Sequence, residues 1–321
     1  MKAARLFAVL ALSGSTLACA RAPTPRDPPP ALSPGEHRFT SHGVELVFHV
    51  AGTGPVLVAH PGGPGAEWTI LRMPEVEKSF TVVYMEPVGS GASGQLAGAD
   101  DYTVARYVED VEALRAHLGL ARFTLLGHSH GGFVAQAYAI AHGDRLSRLI
   151  LYDTSPTTGP DWQRDIERNL TWFEREPWFA DAKAALAAEV TATTDEQMTA
   201  IFHREAPLYF ADYSGRKAEL DPLIRAMRLS VAPTKGAADP DAPAGVGVAP
   251  VFDVRAQLPS IRVPTLIVVG RKDFVCSVEM ARILDARIPD SSLVVLERSG
   301  HMGHMEEPAA FARALVEFAG R

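Results

Sequence analysis

A serine stands between glycines in Gly127-His128-Ser129-His130-Gly131, in the setting a nucleophile needs. Ahead of it runs Arg122-Phe123-Thr124-Leu125-Leu126, short, apolar and β-leaning, the pattern of a buried strand. Behind it, from Phe133 to Ala139, a helix can begin at once. A G-x-S-x-G stretch at a strand-to-helix turn makes a tight, strained corner, and its glycines let neighbouring backbone pass where a Cβ would clash. The serine is pushed out at the sheet edge, over a helix N-terminus that favours developing negative charge. A serine hydroxyl is a poor nucleophile alone, so Ser129 requires a histidine to take its proton and an acid to orient that histidine. Asp273 lies just past the apolar run Thr265–Val269, and His301 lies in the loop after Ser292–Leu296. Both runs read as parallel strands, which puts both residues at the carboxyl edge of the sheet with Ser129, where open α/β sheets bind ligands. The chemistry is acyl transfer: Ser129 attacks a carbonyl, His301 shuttles the proton, and Asp273 orients His301.

Other residues compete for these roles. Asp153 also follows a strand end and is the second candidate for the carboxylate. His304 is the second candidate for the base, but His301 directly follows a glycine after a strand. His128 and His130 flank the nucleophile too closely to act as its base and are expected to pack or to line the pocket. Cys276 reads as a buried structural thiol, and no Cys/His spacing suggests a metal site. No cofactor is implied.

The elements that must position these residues follow from the apolar pattern. His37–Val50 alternates as an antiparallel hairpin turning near His42-Gly43. Pro55–Ala59 and Phe80–Met85 are strands, each running into a Gly-rich loop, Pro61–Gly65 and Glu86–Gly94. Val104, Tyr107, Val108, Val111, Leu114 and Leu118 share one helical face, with Asp101 placed to cap the start and Gly119 the end. Arg148–Tyr152 is a further buried strand. The closing helix starts at Pro308 and buries Phe311, Leu315 and Phe318. Strand and helix alternation of this kind predicts an α/β fold, a mostly parallel sheet flanked by helices. Between 154 and 249 the pattern breaks into aromatic-rich helical segments, including Asp195–Phe202 and Lys217–Met227, with a Gly/Pro/Ala-rich loop from Ala237 to Pro250. This block reads as a helical cap inserted into a core formed by 36–153 and 250–321; a helical decoration without a role in binding is the alternative.

With these motifs in order, the chain resembles an α/β-hydrolase of the proline iminopeptidase type. The resemblance rests on Gly62-Gly63-Pro64-Gly65 after one strand, Gly89-Ser90-Gly91 after the next, and the corner around Ser129. Gly270-Arg271-Lys272-Asp273, and Gly300-His301 with Glu306 and Pro308, complete it. It covers the core from about Glu36 to Arg321, with the cap matching only in general character, and its chain order Ser…Asp…His is the one this fold uses. It implies an α/β-hydrolase fold with an inserted helical cap, an oxyanion hole from the N–H groups of Gly63 and His130, and cleavage of an N-terminal residue or a small amide. Two departures stand out. His60 sits one residue earlier than the family's histidine before Gly-Gly-Pro-Gly, and Glu86-Pro87-Val88 replaces the common Asp-x-Arg. A backbone oxyanion hole survives such side-chain changes. An aminopeptidase must also bind a free ammonium, which needs a carboxylate in a partly buried pocket; Glu67 and Glu205 are the candidates. The bland alternatives are that Glu67 caps a helix start and that Glu205 pairs with Arg204. A carboxylesterase or lactonase acting on small esters would use the same three residues, and a non-catalytic binding protein on this fold is the remaining alternative.

The chain has 321 residues, 47% hydrophobic and 21% charged, enough for one large α/β unit with an insertion. A net charge of −7 argues against nucleic acid and leaves a small molecule or short peptide as the expected partner. The N-terminus reads as an address: Lys2 and Arg5, an apolar stretch from Leu6 to Leu12, then small residues up to Ala20. The apolar stretch is too short to span a bilayer. Ala18-Cys19-Ala20 fits signal cleavage after Ala20, while Leu17-Ala18-Cys19 resembles a bacterial lipobox that would leave Cys19 lipidated. Residues 1–20 are therefore expected to be a signal peptide and 21–35, with Pro28-Pro29-Pro30, a Pro-rich linker. Export follows either way, to the periplasm or outer membrane as a lipoprotein, or as a secreted protein. Cys19→Ser should move the protein from the membrane fraction to the soluble fraction on lysis; a wild type that is already wholly soluble contradicts lipidation through Cys19.

Overall fold

Eight apolar runs pair into one sheet, and their burial explains why most are parallel. The computed structural model describes residues 32–237 and 250–320; the signal segment, Cys19 and residues 21–31 of the linker lie outside the described residues, as do residues 238–249 of the expected Gly/Pro/Ala-rich loop. The strands are β1 (Gly35–Ser41), β2 (Val44–Gly52), β3 (Val56–His60), β4 (Thr81–Glu86), β5 (Phe123–His128), β6 (Leu146–Tyr152), β7 (Thr265–Gly270) and β8 (Ser291–Leu296). They lie in the order β1-β2-β4-β3-β5-β6-β7-β8. The first two join as an antiparallel hairpin through His42-Gly43, both at positive φ, and pair antiparallel with β4. From β4 to β8 every pairing is parallel. Strands β3 to β7 are almost continuously buried, as parallel strands covered on both faces must be, while β8 at the edge is half-buried.

Helices cover both faces. On one side Tyr107, Val111 and Leu114 of α2 (Val104–His117), with Val134 and Tyr138 of the helix His130–His142, join Val58, Leu125 and Leu149 of the sheet. On the other, Val76 of the short helix Pro74–Glu77, here α1, and Phe311, Leu315 and Phe318 of the closing helix Pro308–Ala319 join Leu57, Leu126 and Ile150. Adjacent residues such as Leu125 and Leu126 thus feed opposite layers, the period-two logic of a strand. The helix His130–His142 is α3. Between β6 and β7 come α4 (Pro160–Leu170), α5 (Phe179–Ala188), α6 (Asp195–Glu205), α7 (Tyr213–Ala226) and α8 (Val231–Ala237); α9 (Val278–Arg287), α10 (Gly303–Glu306) and α11 (Pro308–Ala319) follow β7 and β8. The inserted helices are not separate from the core: Met198, Phe202, Leu220 and Ile224 belong to the same apolar cluster as Phe311 and Leu315. Their two chain ends are tied at the base, where Thr158 N–H donates to Phe252 O (2.8 Å) and Val254 N–H to Pro156 O (3.0 Å).

Two expectations are corrected in detail. The linker ends earlier than residue 35, because Leu32 is buried in the core and Ser33 O bonds the His37 ring at 2.7 Å. Helix α2 is capped by Thr103, not Asp101: Thr103 directly precedes the helix with extended backbone, so its Oγ1 accepts from Arg106 N–H at 3.1 Å. Asp101 instead closes the preceding turn by accepting from Gly98 N–H. At the other end Gly119 N–H bonds Ala116 O and Leu120 N–H bonds Arg115 O, the doubled C-terminal cap expected of a glycine there. No helix among the described residues is long and apolar enough to cross a membrane.

The chain leaves β3 toward β4 on one side, and β5 pairs on the other. Such a reversal opens a crevice at the carboxyl ends of the two strands. Helix α3 rises from β5 so closely that a Cβ on Gly127 would collide with Gly131 O and the Ala135 Cβ. Gly127→Ala should therefore cost about 1–3 kcal/mol of stability or more, read as a lowered urea midpoint. An unchanged midpoint would mean that the turn is looser than described.

Candidate active site

Ser129 occupies the corner between β5 and α3 at φ 53, ψ −120, a conformation a serine adopts only when its surroundings force it. Three bonds do so: its N–H donates to Tyr152 O (3.0 Å), and its carbonyl accepts from Gly132 N–H and Thr154 Oγ1 (both 2.8 Å). The loop after β3 closes against it from the side. A Cβ on Gly62 would meet the Ser129 Cβ and the His128 ring, so only glycine lets this loop approach. Gly63 follows at φ 51, and its N–H is engaged by no backbone carbonyl among the described residues. His130 begins α3, where first-turn N–H groups have no intrahelical acceptor. Both Gly63 and His130 line the same cleft as Ser129.

The loops after β7 and β8 bring in the acid and the histidine. Asp273 is fully buried, and its Oδ1 accepts from the N–H groups of Val275 and Cys276 (2.9 Å each). Its Oδ2 lies 2.8 Å from His301 Nδ1, which fixes the ring so that Nε2 is left for the cleft. The His301 backbone is held in turn: its N–H donates to Tyr209 O (2.8 Å) in the inserted block, and His128 Nε2 donates to His301 O (3.0 Å). Glu306 bridges the same two regions, accepting from Gly300 N–H (2.6 Å) and Ala211 N–H (2.8 Å). Burial pushes its carboxyl up to about 7. Ser129 and His301 face one cleft without a hydrogen bond between them, a contact that catalytic pairs commonly complete only in the substrate complex.

The competing residues are placed as follows. His304 Nε2 donates to Ile70 O (2.9 Å), so its Nδ1 accepts from Tyr152 Oη (2.9 Å), and burial lowers the ring to about 4. Both nitrogens are spent on packing. His130 and His128 line the cleft but are held neutral by burial, His130 down to about 3 and His128 well below the usual range. Cys276 is a free, buried thiol whose burial pushes its titration up. Asp273, Cys276 and His301, and likewise His128, Asp153 and His301, each place three donor atoms within 4.8 Å. Both sets include His301, whose Nδ1 is already bonded to Asp273 Oδ2. In the loop after β4, where the family's arginine is missing, Glu86 Oε2 accepts from Ala92 N–H (2.9 Å) and Ser93 Oγ donates to Glu86 O (2.7 Å), tying the loop from within.

The cleft is roofed by the inserted helices and lined largely by apolar groups such as Phe133, Trp162, Phe202 and Met302. One polar feature stands out in that wall. Glu205 has no exposed surface, its Oε2 lacks a hydrogen-bond donor among the described residues, and its Oε1 accepts from Tyr209 Oη at 3.3 Å. Burial first, then the adjoining Glu189, pushes the Glu205 carboxyl well above the usual range, and burial raises Glu189 to about 7. Glu205 does not pair with Arg204, which bonds Asp181 on the outer surface (2.5 Å). Glu189 was not singled out in the sequence; only the packing of α5 against α6 brings it to Glu205, and no local pattern announces that. Glu67 is a correction. It stands at the start of a 3-10 turn without capping it, and it faces a second, shallower hollow with Asp195, His203 and Arg228. The segment 228–230 pairs with Ala66 and walls it off from Ser129, so Glu67 does not reach the cleft.

Comparison with known proteins bears out the fold. Residues 55–308 match the family described as alpha/beta hydrolase fold. A proline iminopeptidase of Saccharolobus solfataricus is 28% identical over 85% of this chain and 87% of its own. A pimeloyl-[acyl-carrier protein] methyl ester esterase of Aeromonas hydrophila is 27% identical over 84% and 97%. The crystal structure of a hydrolase from Pseudomonas aeruginosa superposes with a TM-score of 0.69 at 27% identity, covering 90% of this chain and all of that one.

Three acids with raised titration make stability depend on pH. Glu189, Glu205 and Glu306 hold protons in the native state that the unfolded chain releases above its ordinary carboxyl range. The native state binds more protons there, so stability falls as pH rises from about 4.5 through 7. Glu205→Gln mimics the protonated form and should flatten that fall, gaining on the wild type at pH 8 relative to pH 5 in thermal melts. A parallel pair of melting curves would contradict protonation of Glu205.

Proposed function

The chain belongs to the α/β-hydrolase fold family, and from that premise we propose that it is a serine hydrolase that removes an N-terminal residue from short peptides or cleaves small aminoacyl amides. In this reading Ser129 attacks the carbonyl while His301 Nε2 takes its proton. Asp273 holds His301 in the tautomer that leaves Nε2 free and stabilises the imidazolium that forms. The N–H groups of Gly63 and His130 hold the oxyanion. His301 then protonates the leaving amine, and water, deprotonated by the same ring, releases the acyl group from Ser129. No step calls on a cofactor. Export through the N-terminal segment, with a lipid anchor at Cys19, remains part of the proposal.

The observation that carries the amine preference is the Glu189–Glu205 pair inside a largely apolar cleft. Two adjoining carboxyls, Glu205 buried and Glu189 half-buried, are costly to ionise together when the cleft holds nothing cationic. A substrate ammonium would let the pair ionise, converting that cost into binding. The second reading, an esterase, is supported by the apolar lining and by an esterase relative about as similar as the iminopeptidase.

Ser129→Ala and His301→Ala should each lower kcat by about 10⁴-fold or more, while His304→Ala lowers stability more than turnover. Greater loss of turnover in His304→Ala than in His301→Ala would reverse the assignment of the base. Glu205→Gln should raise KM for an unblocked prolyl or alanyl arylamide about ten- to a hundredfold, the worth of a hydrogen bond to a charge, and leave p-nitrophenyl acetate hydrolysis little changed. A wild type that cleaves simple esters well but ignores every unblocked aminoacyl amide would exclude the aminopeptidase and favour the esterase.

A further inference from the structure

Behind Asp273 lies a second buried carboxyl that the acyl-transfer reading does not use. Asp153 directly follows β6, with no exposed surface and a left-handed backbone, φ 44. Its N–H donates to Val268 O and its Oδ1 accepts from Gly270 N–H (2.8 Å each), which aims the side chain across to the end of β7. Its Oδ2 has no hydrogen-bond donor among the described residues. The carboxyl adjoins that of Asp273, and one of its oxygens lies within 4.8 Å of ring nitrogens of both His128 and His301.

Two carboxyls in contact in a dry site do not both ionise, and one retains a proton. Hydrogen bonding decides which. Asp273 accepts from three donors, the N–H groups of Val275 and Cys276 and the ring of His301, whereas Asp153 accepts from one. The negative charge is better held on Asp273. A proton on Asp153 Oδ2 would satisfy the one orphaned oxygen and give Asp273 a fourth donor.

We propose that Asp153 is a protonated carboxylic acid that donates its Oδ2 proton to Asp273, a positioning residue that fixes the triad carboxylate from behind and leaves the pair with one negative charge. Burial first, and the Asp273 charge next, push the Asp153 carboxyl well above its ordinary range. The titratable groups acting with it are Asp273, His301, His128, Tyr152, Glu306 and Cys276. None of these is a lysine or arginine, and burial keeps His128 neutral, so His301 alone among them can answer a second negative charge. An ionised Asp153 would hold a proton on His301 and silence it as a base at neutral pH. The proposal rests on the triad reading of Ser129, Asp273 and His301.

The test compares Asp153→Ala with Asp153→Asn. Asparagine keeps the shape, tolerates the left-handed backbone, and can donate to Asp273 while accepting from Gly270. Removal of the donor in Asp153→Ala should lower kcat for a p-nitrophenyl ester about ten- to a hundredfold, with Asp153→Asn recovering most of the loss. In Asp153→Asn the acid limb of the kcat/KM profile should stay where the wild type has it, and stability should fall less steeply above pH 5, by the slope of one proton. An acid limb moved down by about half a pH unit or more, or an unchanged stability slope, would mean that Asp153 is ionised and overturn the proposal. Should neither variant fold, wild-type protein labelled with 13C at aspartate carboxyls decides the matter. A carboxyl carbon at the protonated position at pH 7.5 supports the proposal, and all carbons at the ionised position contradict it. Failure of the triad reading would appear separately, as activity surviving Ser129→Ala, and would leave the stability and carbon readouts unaffected.

Discussion

The constraint on which the site depends is the strained corner at Ser129. A residue at φ 53, ψ −120 between a buried strand and a helix persists only if its neighbours leave no alternative, at a local cost of about 1–3 kcal/mol. Here the neighbours are glycines and backbone. Gly127 lets α3 start against β5, Gly62 lets the loop after β3 come up against the serine, and the Tyr152 carbonyl at the end of β6 holds the Ser129 N–H. Because three parallel strands end at this corner, one distortion lines up the candidate nucleophile, two candidate oxyanion donors and a helix N-terminus. The strain is carried by a sheet whose central strands are almost continuously buried, which can bear it.

A second theme is the use of buried acids in pairs. Asp273 faces Asp153 beneath His301, and Glu205 faces Glu189 in the roof of the cleft. Each pair leaves one carboxyl oxygen without a donor among the described residues, Asp153 Oδ2 in one and Glu205 Oε2 in the other. Such arrangements weaken the native state as pH rises and are what a cationic group, an imidazolium in one case and a substrate ammonium in the other, would relieve. Glu306 plays a quieter part by tying Gly300 to Ala211, so that the loop carrying His301 and the inserted helices are positioned together.

Much of this was legible in the sequence, for reasons that differ by element. The parallel strands announced themselves as short apolar runs ending in glycine-rich loops, and their observed bounds differ from the expected ones by one or two residues. Ser129, Asp273 and His301 were readable because each follows a strand and the carboxyl ends of parallel strands share an edge. The capping of α2 was misjudged by two residues because Asp101 and Thr103 are both good caps, and only the extended backbone at Thr103 decides between them. Glu67 was misplaced because nearness to a Gly-rich loop in sequence does not say on which side of the segment 228–230 a side chain falls. Glu189 could not be found at all, since its partner lies sixteen positions on and meets it only through the packing of α5 on α6.

The account stands most directly on Ser129 as an activated nucleophile. Reacting the protein with a fluorophosphonate and mapping the adduct by peptide mass spectrometry tests this without any assumption about substrate. The account predicts a single phosphonylated residue, Ser129, formed rapidly in the wild type and at least a hundredfold more slowly, by order of magnitude, when His301 is replaced by alanine. No adduct, an adduct on another residue, or labelling of Ser129 at an undiminished rate without His301 would contradict it.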